Sequence, residues 1–448
     1  MEDFLAAHPD DRAALMHLRS VVRRADAASI SRDLAVLAKY PALDTLHPGL
    51  RSKLARLGRA PNRRTLYGLP YSVAYADQMI RSHTLLHEAA TAVEGDDVEF
   101  ARYLRNRARD LLTDDYESGD ASWLKGHFKH LNAQIGAYET FDDELLGIRA
   151  FYGLSLLSTR VDESAVLRRA LQGIQALEDS LPIDRHKRVL EEIPVYVFDV
   201  IADFGQARGG NPATILPNES YLVARYGSII LLRANIMRDP DIFAVDSSWQ
   251  AAVTSEFGGD LTVDGNFYRT LWHEVGHYLG PDVTRDGRDL DAAFGADAGL
   301  LEEMKADLVS LFVGRELRSR GYFTDTQLRS HYASGILRVL LNNRPRREQP
   351  YNTMQLMQWN WFLDRGVLRV DAASGRMAID YARYHDAVAA LVKEVLALQD
   401  AGDKAAATRF IDRWGAWSDA LHGRIAAELG EQQRFRFRLF EYDALSRR

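Results

Sequence analysis

Histidine, glutamate and histidine stand at positions 273, 274 and 277 of this 448-residue chain, in the run Leu271-Trp272-His273-Glu274-Val275-Gly276-His277-Tyr278-Leu279. On an α-helix, residues four apart share a face, so His273 and His277 can offer two imidazole nitrogens to one Zn²⁺. Glu274 projects from the neighbouring position, placed to take a proton from a water that the metal has acidified. The helix has its own support: Phe267, Leu271, Val275 and Leu279 make an apolar stripe, and Gly280-Pro281 is a stop signal.

Two histidines need a third ligand, and a candidate follows. Leu301-Glu302-Glu303-Met304-Lys305-Ala306-Asp307-Leu308 carries three carboxylates, with Leu301, Met304, Leu308, Leu311 and Phe312 as the apolar face of a second helix. Glu303 and Asp307 are four apart and share a face. The reading assigns Glu303 to the zinc, Asp307 to a ligand imidazole that it orients from behind, and Glu302 to the same supporting layer. Carboxylates near a helix start are also favourable without any metal; the upstream motif is what favours ligation.

The whole chain narrows the alternatives. Its hydrophobic content of 46% and charged content of 27% are those of an ordinary globular protein, and its length points to two lobes. The formal charge of −7, with no clustered Lys and Arg, argues against nucleic acid as a partner. With no cysteine, disulfides and thiolate zinc ligands are excluded, leaving His and carboxylate. No stretch reaches the length of a membrane span and the N-terminus lacks a basic region followed by an apolar run, so no membrane partner is expected and a cytoplasmic location is the default. The oligomeric state is not legible.

Along the chain, residues 11–60 read as short helices, with Leu15, Leu18, Val21 and Val22 as one stripe and prolines as punctuation. Helical periodicity is strong from Gln78 to Leu112. His83 and His87, four apart there, lack an acidic companion and read as structural, as do His127 and His130. Ile135 to Asp143 reads as strand or loop, Ser164 to Leu181 as a helix, and Pro194 to Ile201 as a strand. Tyr226 to Met237 is a second apolar run. From Gly265 onward helices dominate, with a hairpin at Leu368–Val370 and Arg376–Ile379 and a terminal strand in which Arg434, Arg436 and Arg438 form one basic face.

These stretches together resemble the dipeptidyl peptidase III family of zinc metallopeptidases. The likeness runs from about Leu85 to the C-terminus and is carried by Tyr103-Leu104-Arg105-Asn106-Arg107-Ala108, Leu112-Thr113-Asp114-Asp115-Tyr116, Leu216-Pro217-Asn218, Glu302 to Asp307, and Leu396 to Asp403. The family usually spaces its histidines one residue further apart, as His-Glu-x-x-x-His. The resemblance implies a mostly helical α+β fold of two lobes about a cleft, one lobe helical and zinc-binding, the other built on a small β-barrel core. The chain then divides as residues 1–155 and 193–240 in the β-core lobe, 156–192 and 241–428 in the zinc lobe, and 429–448 as a C-terminal strand.

The resemblance also implies that Glu139 and Asn218 grip a peptide N-terminus. Three positions depart from the family pattern. Phe141 stands where a tyrosine is expected and cannot donate a hydrogen bond to an oxyanion. Ile215 replaces an asparagine, and Tyr351 stands near an expected histidine, where it can serve as the oxyanion donor. The expected activity is a zinc-dependent, dipeptidyl-peptidase-like hydrolysis of a peptide or amide bond with one Zn²⁺ per chain. The alternatives are a zinc hydrolase or lyase of the same fold acting on a small non-peptide substrate, with Phe141 and Ile215 as an apolar wall, and a binding protein that keeps a structural metal.

Overall fold

The computed structural model describes residue 5 and residues 9–139, 143, 148–189, 194–205, 213–216, 220–227, 229–239, 245–341, 344–345 and 350–433; of Glu139 and Ile215 it describes the backbone alone. The strand expected at Arg434–Leu439 lies outside these residues, and the first part of the expected C-terminal strand, 429–433, is instead the end of the helix Arg424–Gln433.

The N-terminal part opens with β1 (Ser20–Ala25) and β2 (Asn62–Pro70), an antiparallel pair with Ser20 opposite Pro70. Val21 and Val22, expected on a helical stripe, lie in β1. Two adjacent β-branched residues fit a pleated strand better than a helix turn, and pairing with β2 decides the matter. Helices α1 (Ala76–Val93) and α2 (Val98–Thr113) follow. The Asp97 side chain caps α2 by accepting from the Phe100 amide, and Asp114 ends it in the left-handed conformation. Tyr103 Oη on α2 donates to the carbonyl of Ala133, fixing this helix to the main sheet.

That sheet contains β3 (Leu131–Glu139), β4 (Phe151–Thr159), β5 (Val195–Phe204), β6 (Ala213–Leu216) and β7 (Ile229–Arg233) in the order β3-β4-β5-β7-β6. Only the β5–β7 pair is parallel. The mostly helical α+β class is borne out, but the expected barrel is not: the described strands form an open sheet with β3 and β6 at its edges. The sheet separates two cores. Val195 and Val197 of β5 and Ile230 and Leu232 of β7 pack into the core of the C-terminal helices. Phe198, Val200, Ile229 and Leu231 pack into the core of α1 and α2. Side chains alternate across a strand, so a strand apolar on both faces reads as a continuous run; this explains the Ile229–Arg233 part of the Tyr226 to Met237 stretch, which ends in a short helix, Ala234–Met237.

Beyond β4, α3 (Val161–Leu171) stops short of the helix expected to Leu181. Gly173, at φ +73°, starts a separate short helix, Ile174–Glu178. The C-terminal helices are α4 (Val263–Gly276), α5 (Ala298–Phe312), α6 (Asp325–Leu340), α7 (Pro350–Asp364) and α8 (Tyr381–Ala401), with the hairpin β8 (Leu368–Val370) and β9 (Met377–Ile379) between α7 and α8 as expected. No helix among the described residues is long and apolar enough to cross a membrane.

Helix α4 lies between α5 and α6, and its glycines let it approach both. A Cβ on Gly265 would stand 2.5 Å from the Ser330 carbonyl oxygen of α6, and one on Gly276 would stand 2.5 Å from the Ala306 carbonyl oxygen of α5. Both contacts are with backbone, which cannot swing aside. Gly276→Ala is therefore expected to lower stability by about 1–3 kcal/mol, the usual cost of overpacking. Thermal unfolding checks this, and an unchanged Tm would mean that the two helices can part freely.

Candidate metal centre

Helix α4 ends at Gly276, four residues before the Gly280 stop, and His277 is its C-cap. The His277 amide still donates to the His273 carbonyl, at 3.3 Å, so the one-turn relation between the imidazoles survives. Gly280 then turns the chain at φ +80°, and its amide donates to the buried Glu178 carboxylate at 2.7 Å.

Because α5 packs directly on this end of α4, its carboxylates meet the imidazoles. Glu303 Oε2 is 3.2 Å from His273 Nε2 and 3.8 Å from His277 Nε2, and the two Nε2 atoms are 3.3 Å apart. Ligands at zinc's bond length of about 2.0–2.1 Å in tetrahedral directions lie roughly 3.3 Å from one another, so these three atoms have the edges of one face of such a tetrahedron. Glu303 Oε2 is buried and has no hydrogen-bond partner, which a cation between the three would supply. Among the described residues His273, His277 and Glu303 are the single group of three or more metal-ligating side chains that could share an ion.

The remaining ring nitrogens are occupied. His273 Nδ1 lies 2.7 Å from Asp307 Oδ1, and His277 Nδ1 lies 3.0 Å from Glu302 Oε1. Such partners fix the tautomer that leaves Nε2 free for a metal. The carboxylates are held in turn. Arg269 Nη1 donates to Asp307 Oδ1 at 2.9 Å, and Lys305 Nζ lies 2.7 Å from Glu302 Oε1 and donates to the His277 carbonyl at 3.2 Å. Burial alone would raise the Asp307 pKa, but Arg269 and His273 hold it far below the usual carboxylate range. Burial likewise opposes ionisation of Glu302, yet Lys305 and His277 bring it down to about 2. Burial would lower the His273 pKa, and Asp307 and Glu303 outweigh it, lifting the ring to about 9 before any metal competes for the site.

Glu274 is half-buried beside the histidines and takes part in no hydrogen bond or ion pair among the described residues. Tyr351, near the start of α7, faces Glu303; burial and that carboxylate raise its pKa, so the phenol keeps its proton at neutral pH. Of the residues assigned to a peptide grip, Glu139 ends β3 with its backbone opposite Phe151, and Ile215 lies in β6 opposite Ile230 of β7. These two strands are the opposite edges of the sheet; β6 packs against α4. Phe141 and Asn218 lie outside the described residues. His83 and His87, taken as structural, have ring centroids 4.5 Å apart on α1.

Sequence reasoning missed Arg269, Lys305 and Arg338. Two of them carried a signal. Arg269 stands four residues before His273 and shares its face, and Lys305 stands four after Leu301 on the apolar side of α5, where a charge needs a partner. Arg338 had none.

Comparisons with known proteins agree with this geometry. Residues 257–346 match a family described as zincin-like metallopeptidase. The structure superposes on DPP III from Caldithrix abyssi with a TM-score of 0.80 at 24% identity, covering 96% of this chain and 76% of that one. The fold is that of dipeptidyl peptidase III. Dipeptidyl-peptidase III from Corallococcus sp. strain EGB also matches, with a TM-score of 0.69 at 22% identity over 97% of this chain and 73% of that one. The resemblance seen in the sequence thus holds for the fold. In sequence the chain is similar to Nudix hydrolase 3 of Arabidopsis thaliana, 26% identical over 363 residues, or 78% of this chain. It spans 46% of that protein, about half of its length.

The Asp307–His273 contact has a measurable consequence. Asp307→Ala is expected to weaken zinc affinity by about 10–100-fold, the usual effect of losing the group behind a ligand imidazole. A chelator competition reads this directly, and an unchanged affinity would remove Asp307 from the site.

Proposed function

We propose that this chain is a zinc-dependent hydrolase of peptide or amide bonds. The observation that carries the reading is the convergence of His273 Nε2, His277 Nε2 and Glu303 Oε2 at separations suited to one tetrahedral ion, with Glu274 beside them and free of other partners. Bound zinc would polarise the scissile carbonyl and acidify the attacking water. Glu274 takes the proton from that water and returns it to the leaving amine. Tyr351, protonated and facing Glu303, donates to the oxygen that gains charge in the transition state. Asp307 and Glu302 hold the imidazoles still while this happens.

The sheet supports a peptide as the substrate. Among the described residues β6 is an edge strand that packs beside α4, and the edge of a sheet is where an extended peptide can add as a further strand. Ile215 of β6 and Asn218, shortly after it in the chain, are assigned to that binding region; Glu139 ends β3 at the far edge of the sheet, so its assignment to the peptide grip rests on the family resemblance, as does that of Phe141 as the missing phenol that Tyr351 replaces. A second reading, a small non-peptide substrate on the same centre, is favoured by the likeness to a plant protein named as a Nudix hydrolase rather than a peptidase.

The test is metal analysis combined with a panel of dipeptidyl-naphthylamides and small amides and esters. The wild type is expected to hold about one zinc, and His273→Ala to lose it. Glu274→Gln should keep both zinc and Tm while turnover falls by roughly 10²–10⁴-fold, because an amide cannot accept the proton. Full zinc in His273→Ala, or wild-type turnover in Glu274→Gln, would refute the assignment. Activity confined to the small molecules would select the second reading.

A further inference from the structure

Arg338, on α6, has no counterpart role in the chemistry above. Among the described residues its guanidinium donates no hydrogen bond: Nε is buried without a partner, and Asp307 Oδ2 lies 3.9 Å away. That carboxylate is already served, since its other oxygen receives Arg269 and faces His273. Arg338 is nevertheless ordered beside the centre. Its Cζ lies 5.1 Å from the ring centroid of Tyr351, and its side chain is 31% exposed, so part of it can be reached from outside. Arginine carries five donors in a planar fork and stays charged at any ordinary pH. A cation with all five unused, next to a candidate reaction centre, is suited to an incoming acceptor.

Charge indicates which acceptor. Among the described residues four carboxylates meet at the centre, those of Glu274, Glu302, Glu303 and Asp307, and three cations face them, Arg269, Lys305 and Arg338. With a divalent ion on the triad and the imidazoles neutral, these groups sum to one excess positive charge. Arg269 and Lys305 are matched by their own carboxylates at 2.9 and 2.7 Å, so the excess resides at Arg338. One negative charge restores neutrality, which suits a carboxylate better than a doubly charged phosphate, and the fork matches a carboxylate's two oxygens.

We propose that Arg338 binds a substrate carboxylate close to the reacting bond, so that the natural substrate is an acidic peptide or amide. The proposal rests on the zinc reading above and names the substrate class that reading leaves open. The probes are hydroxamates, which bind zinc through one end, prepared from malonic, succinic and glutaric acid with the far end either a free acid or a carboxamide. Calorimetric titration of the zinc-loaded full chain should show, for at least one chain length, about 10- to 100-fold tighter binding of the acid than of the amide, the usual range for a hydrogen-bonded charge pair. The ratio should fall to near one in Arg338→Gln and persist in part in Arg338→Lys, which keeps a point charge without the fork. An equal affinity for acid and amide at every length in the zinc-loaded wild type would overturn the role of Arg338 and leave the metal reading intact. So would a preference that survives Arg338→Gln. If Arg338→Gln instead lost zinc affinity by more than tenfold in a chelator competition, Arg338 would be a support for Asp307, and the proposal would fall. A wild type that takes up no zinc would sink the metal reading and this one with it.

Discussion

The close approach of α4 and α5 at Gly276 and Ala306 is the constraint on which the centre depends. A side chain at position 276 would meet the α5 backbone, so the helices can cross this tightly only with glycine there. The crossing sets the Glu302 and Glu303 carboxylates and Asp307 against the two imidazoles, each within about one side-chain length. That crossing brings the candidate ligand atoms to 3.2, 3.3 and 3.8 Å from one another, near the spacing one ion requires. The glycine between the histidines is thus part of the site although it carries no functional group.

Charge is the second organising principle. Asp307, Arg269 and Lys305 are almost wholly buried, and an isolated charge in such surroundings costs several kcal/mol. Each is therefore matched at hydrogen-bond distance. The matching runs outward in layers: imidazole to carboxylate, carboxylate to arginine or lysine, and lysine to the carbonyl of His277 at the helix end. Removing an outer member leaves an inner one unpaired. The orientation of two histidine rings thereby depends on residues that stand behind them.

Much of this was legible in the sequence because the relevant spacings are short. His273 and His277 are four apart, Glu303 and Asp307 are four apart, and helix geometry alone places each pair on one face. The hairpin at Leu368–Val370 is local for the same reason. What could not be read depends on contacts across long separations. Val21 and Val22 are strand because residues 40 or more positions away pair with them. The helix expected to Leu181 breaks at Gly173, a residue that a helix pattern tolerates on paper. Whether five strands close into a barrel is decided by how their edges meet, which no local pattern encodes. Arg338 belongs to the same category: in α6 it reads as an ordinary solvated arginine, and only folding brings it to Asp307 and Tyr351.

The sheet gives the last step. Val195, Val197, Ile230 and Leu232 face one core while Phe198, Val200, Ile229 and Leu231 face the other, so each of the two central strands is fixed from both sides. β6 is bonded along its inner edge to β7 and packs on α4. An edge strand is ordinarily a liability, because its free amides and carbonyls invite pairing with another chain. Here that edge lies beside the helix that carries His273 and Glu274; Ala213 of β6 packs against the helical core, while Leu216 is buried in the core of α1 and α2. The position of β6 relative to the candidate ligands is thus set by packing against both cores and against α4, not by separate loops.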